Sequence, residues 1–92
     1  MEIGESASPV VEEAIRAVIE KQPSVRRLIH IRTQHLGPDD ILLGAKIELD
    51  EELNIAGVAR EIDAIERAVR AEVPSVRLIY VEPDVFKGVT SR

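Results

Sequence analysis

The sequence contains no cysteine and no tryptophan, and its only aromatic side chains are Tyr80 and Phe86. Without thiols there can be no disulfide, no thiolate metal site and no CxxC redox chemistry. Two rings in a chain with 12 Lys plus Arg against 17 Asp plus Glu, a formal charge of -5, offer neither a stacking platform nor a basic face. Nucleic acid, which needs both, is therefore not an expected partner. Long apolar runs are missing too: ILLGA, residues 41 to 45, is typical, and a bilayer span needs ~20 such residues. The opening MEIGESASP lacks the basic and apolar regions of a signal peptide. No glycine-rich phosphate loop and no acid pair with a base is visible, and Ser8, Ser24 and Ser75 stand at element boundaries where capping accounts for them. No catalytic or cofactor-binding residue is assigned, and an enzyme is not expected.

What remains is a chain of 92 residues, enough for one domain with a modest core, with 32% charged residues on its surface. The domain is expected over residues 1–84, with 85–92 as a tail. SPVVEEAIRAVIEKQP reads as a helix with Ser8 as N-cap, Pro9 in the first turn and Pro23 beyond the end. Val11, Ala14, Ile15, Val18 and Ile19 form its apolar stripe. VRRLIHIRTQHL and ILLGAKIELD are strands joined by the turn residues GPDD. In the second, Ile41, Leu43, Ala45, Ile47 and Leu49 alternate with more polar positions, so one face is apolar. From about Asn54 to Val73 helical spacing returns, with Ile55, Val58, Ile62, Ile65 and Val69 on one side. VRLIYVEP then makes a third strand.

PSVRRLIHI at 23–31 is echoed by PSVRLIYV at 74–81, each after an amphipathic helix. The order αββαβ predicts an α+β fold: a ferredoxin-like, metallochaperone-like two-layer sandwich with a three-stranded sheet and two helices on one face.

Both histidines fall within HIRTQHLGPDD. On a regular strand, residues five apart point to opposite faces and stand ~16 Å apart, so His30 and His35 cannot share one metal ion. Strict alternation places His30 in phase with Leu28 and Arg32, facing away from the core. His35 lies beside the turn with Asp39 and Asp40 in reach. Glu82 and Asp84 bracket Pro83 near the end of the third strand. The metal-site candidates are accordingly His35, Asp39 and Glu82.

A set of words in order carries a family resemblance: IGES at the start, Val25 with Ile31-Arg32-Thr33, Gly37-Pro38, AKIELD, Ile62 to Val76, and Glu82-Pro83. Together they resemble the cytosolic C-terminal domain of the cation diffusion facilitator family, proton-coupled exporters of zinc and related divalent metals. The resemblance spans nearly the whole chain. It implies a regulatory domain on the cytoplasmic side of a membrane that forms a homodimer, partners the transmembrane domain of the same transporter and, as in several members, binds Zn2+ or another divalent transition metal between or beside the subunits, with weak metal sensing expected here. At the positions where family members carry cytosolic metal ligands, this chain has Ile29, Lys46, and Tyr80 with Glu82.

A sheet with both helices on one face leaves the other needing cover. Leu28, His30, Leu42 and Ile79 are the expected dimer-interface residues. The apolar stripes are complete without ligation, so no metal is needed for folding. The competing reading is a free-standing small-molecule-binding regulatory domain of similar fold, and the chain lacks the glycine-rich strand-to-helix turn that such pockets use.

Overall fold

The computed structural model describes residues 4–50 and 52–85. Its elements run α1 (Pro9–Glu20), β1 (Val25–Gly37), β2 (Asp40–Leu49), α2 (Ile55–Glu72) and β3 (Val76–Val85). The helix starts are chemical. Ser8, in extended conformation, accepts a hydrogen bond from the Val11 N–H, with Pro9 beginning the helix. Asn54 does the same for the Gly57 N–H at 2.7 Å. Each cap satisfies one of the four amide donors that a helix start leaves unpaired.

The sheet order is β1-β2-β3, antiparallel between β1 and β2 and parallel between β2 and β3. The central strand β2 alternates without interruption: Ile41, Leu43, Ala45, Ile47 and Leu49 are buried, while Leu42, Gly44, Lys46 and Glu48 are half-buried. Against the buried side pack Ile15, Val18 and Ile19 of α1 and Ile65 and Val69 of α2. The two helices touch each other and cover one face of the sheet. Ile55 departs from the expected stripe. As the first residue of α2 it is 89% exposed, and burial on that helix begins with Gly57.

The outer strands do not alternate strictly, and this decides which side chains face where. In β1 the register with β2 shifts between Val25 and Arg27 and between Leu28 and His30, so Arg26 and Ile29 are extra residues. In β3 it shifts after the pairing of Ile41 with Val76, so Arg77 is extra. Each one-residue bulge inverts the facing of the residues beyond it. Leu28 is therefore 8% exposed and belongs to the core, and Ile79 packs against the core beside Leu43. Placing these two on the uncovered face is corrected by the bulges at Ile29 and Arg77.

A segment ahead of α1 straps the edge of β1. Gly4 N–H donates to the His35 carbonyl at 2.7 Å, and His35 N–H donates to the Glu5 carbonyl at 2.7 Å. Gly4 has φ 98°, a left-handed conformation that glycine adopts without a steric penalty. One turn on, the Ala7 N–H donates to the Thr33 hydroxyl at 2.9 Å, and that hydroxyl donates to the Glu12 carboxylate.

Candidate functional site: the uncovered face of the sheet

With the helices on one side, the opposite face of the sheet is bare among the described residues. The pairings across the three strands arrange its side chains in rows. His30 pairs with Lys46 and Lys46 with Glu82; Arg32 pairs with Gly44 and Gly44 with Tyr80; Gln34 pairs with Leu42 and Leu42 with Leu78. Neighbouring strands are ~4.8 Å apart, so each row spans ~10 Å at the backbone. Gly44 has no side chain, and its row is consequently a dip. A shallow cavity of about 320 Å³ opens there, lined by His30, Arg32, Gly44, Lys46, Tyr80 and Glu82 among others. Tyr80 is 65% exposed beside it and Leu78 46%.

The charges in this cavity are unspent. Ion pairs within 4 Å join Arg27 to Glu48, Arg70 to Glu66, and Arg77 to Asp40. Among the described residues, Arg32, Lys46 and Glu82 enter none of them, although Lys46 and Glu82 are direct neighbours across β2 and β3.

The residues expected to hold a metal are not brought together. His35 is 6% exposed and turned toward the helix side, with Nδ1 3.0 Å from the Gly37 carbonyl oxygen. Its backbone carries the strap from Gly4 and Glu5. Asp39 is exposed in the hairpin turn, and Asp40 is engaged with Arg77 at 3.1 Å. Glu82 lies on the bare face, six residues along β3 from the level of His35, which is ~20 Å at ~3.3 Å per residue. Of the four expected interface residues, His30 and Leu42 do lie on the bare face. Tyr80 and Leu78, with Gly44 between the strands, are the features of this face that the interface expectation leaves out. Gly44 is signalled in the sequence by the polar phase of β2, but the bulge at Arg77 in β3 conceals that Leu78 and Tyr80 share its face.

Residues 7–84 match the family described as the cytoplasmic domain of cation efflux proteins. The chain belongs to that family, the cation diffusion facilitators. Solved structures of the MamM C-terminal domain share the fold of this cation efflux domain. A histidine-to-alanine variant of MamM is 25% identical, with a TM-score of 0.80 over 88% of this chain and 100% of that one. An aspartate-to-asparagine variant in a nickel form is 24% identical, with a TM-score of 0.79 over 87% and 100%. An aspartate-to-histidine variant in a copper form is 24% identical, with a TM-score of 0.77 over 85% and 96%. No curated relative matches in sequence.

A resident metal does not fit the bare face of this efflux domain within one chain. No group of three or more His, Asp or Glu that could hold an ion occurs among the described residues. The two donors in one row, His30 and Glu82, are separated by Lys46. Unit charges of like sign at ~4 Å repel by about 1 kcal/mol in water and about 4 kcal/mol near a protein surface. A dication would meet about twice that from Lys46, and Arg32 adds to it from the next row.

Proposed function

We propose that this domain is the cytosolic dimerisation and regulatory part of a proton-coupled efflux transporter for zinc or a similar divalent cation, and that two copies meet through the bare sheet face. Its partners are a second copy and the transmembrane domain of the same transporter. The observation that carries the reading is the asymmetry of the sheet. One face is sealed by two helices, whereas the other presents Leu78, Tyr80 and a row of charges without an ion pair among the described residues. Family membership supplies the context, since the matched domain is the cytoplasmic part of cation efflux proteins.

Association of the excised domain is expected to be weak, since the membrane part of an intact transporter raises the effective concentration of the partner. Sedimentation equilibrium up to about 0.5 mM is therefore the appropriate measurement. Tyr80→Asp should raise the dimer dissociation constant about tenfold or more, because an exposed tyrosine at the centre of a contact is a typical energetic anchor. A native chain that stays monomeric throughout that range would overturn the reading.

The divalent metal is cargo in this scheme, and sensing by the domain is at most weak. Calorimetric titration with zinc is expected to give a dissociation constant of about 0.1 mM or weaker, equivalent to about -5.5 kcal/mol. A site in the native chain tighter than about 1 µM, or about -8 kcal/mol, would contradict the placement of Lys46 and Arg32.

A further inference from the structure

Three Cα pairs register β2 against β3 on the bare face: Leu42 with Leu78, Gly44 with Tyr80, and Lys46 with Glu82. Each pair is complementary within itself. The first is apolar on both sides, the second sets a missing side chain beside an exposed ring, and the third sets a cation beside an anion. We propose that the face closes on a second copy about a two-fold axis running along the strands between β2 and β3. The Lys46 ammonium then pairs with the partner subunit's Glu82, and Tyr80 fills the gap over the partner subunit's Gly44. The proposal rests on the dimerisation reading and specifies its geometry.

The choice of axis depends on what each alternative would stack. In a closed dimer the same patch serves both copies, so residue i meets j and j meets i. An axis along β2 itself would set Lys46 over Lys46 and Gly44 over Gly44. An axis along a row would set every residue of that row over its own copy, doubling each like charge. Only an axis midway between β2 and β3 exchanges the two members of every pair. One operation then satisfies the apolar contact, the ring and its socket, and both ion pairs at once. Each copy also finds a partner for a lysine and a glutamate that are adjacent in one chain yet make no ion pair there. At the far end of the face Glu48 would approach the partner subunit's Asp84, and Glu48 already has Arg27 3.4 Å away to offset its charge.

Gly44 gives independent support. A glycine inside a strand weakens it and often marks a bulge, a tight bend or a close approach by a ligand or another backbone, and β2 pairs through Gly44 without a bulge. Here nothing in the fold itself requires it. Among the described residues the positive φ belongs to Gly4, and a Cβ at Gly44 would meet the Arg32 carbonyl oxygen only at 4.0 Å, ordinary van der Waals contact. The space above Gly44 is thus free for a group from outside the chain. Lys46 also explains the misfit of a resident metal: the face carries its own cation, so assembly does not depend on a bound ion.

The test is sedimentation equilibrium on the native domain and four variants. Lys46→Glu and Glu82→Lys should each raise the dimer dissociation constant at least about tenfold, since symmetry converts two attractions to repulsions. The double exchange should return it to within about threefold of native. Gly44→Leu should keep the native thermal transition but lose the dimer, because the socket is filled. Zinc and a chelator should leave the native dimer unchanged. A native chain that is monomeric at about 0.5 mM overturns the dimerisation reading and this geometry with it. A native dimer whose charge exchanges add instead of compensating, or that tolerates a folded Gly44→Leu, overturns the geometry alone. The charge exchanges decide the matter even where Gly44→Leu fails to fold.

Discussion

Ile47→Ala is expected to lower the free energy of unfolding by about 3 to 4 kcal/mol, in the upper part of the range for truncating a buried isoleucine. Ile47 is 0% exposed at the middle of the central strand, paired with Leu28 on one side and Pro83 on the other. The core cluster to which it belongs draws on three strands and two helices, so the surrounding structure cannot collapse into the cavity without disturbing several contacts. A domain of this length has a total stability of roughly 5 to 14 kcal/mol, so the loss is a large share. Urea denaturation should show a lower midpoint with an unchanged slope. The control is Leu78→Ala on the opposite face of the sheet, which should stay within about 0.5 kcal/mol of native in the monomer. Equal losses for the two variants would contradict the division into a sealed and a bare face.

That division is partly legible in the sequence. Strict alternation in β2 identifies its core side correctly, because β2 has a partner on each edge and contains no extra residue among its pairings. Ser8 with Pro9, and Asn54, mark both helix starts, because caps are local chemistry that needs no tertiary context. The edge strands are different. Ile29 and Arg77 are ordinary strand residues by type, and nothing in their composition announces a bulge. Counting by twos across them exchanges the two faces, which is why alternation puts Leu28 and Ile79 outside while the fold holds them inside. The row of His30, Lys46 and Glu82 is likewise a product of register. Its members lie 16 and 36 positions apart in the sequence, and only the pairing of three strands brings them into line. His35 suggests a ligand because it stands near two aspartates in sequence. Its ring is buried on the helix side of the sheet instead, opposite Ile41 and with Nδ1 beside the Gly37 carbonyl oxygen.

Thr33→Val should destabilise the domain by about 2 to 3 kcal/mol despite being nearly isosteric. Thr33 is 3% exposed and sits at the junction of the strap, β1 and α1. Its hydroxyl accepts from the Ala7 N–H and donates to the Glu12 carboxylate, so one oxygen satisfies a group on each of two other segments. Valine keeps the volume and removes both bonds. A buried donor or acceptor left without a partner costs about 1 to 3 kcal/mol, more than the bond itself contributes to stability. Ala7 is only 5% exposed, so its amide cannot easily recover a bond from water. The loss should be local as well as global. With the Ala7 contact gone, the Gly4 and His35 amides, which make the two backbone bonds of the strap, should exchange with solvent faster than the rest of the sheet. Thr33→Ser keeps the hydroxyl and gives up one methyl, so it should retain the slow exchange and lose only about 1 kcal/mol. Urea denaturation combined with native-state hydrogen exchange on both variants makes the comparison. If valine proved as stable as serine and left exchange at His35 unchanged, the hydroxyl would not be what ties the strap to the sheet. If the two variants separate as expected, the Thr33 hydroxyl ties the start of α1 to β1 alongside the two backbone bonds that the segment ahead of the helix makes at His35.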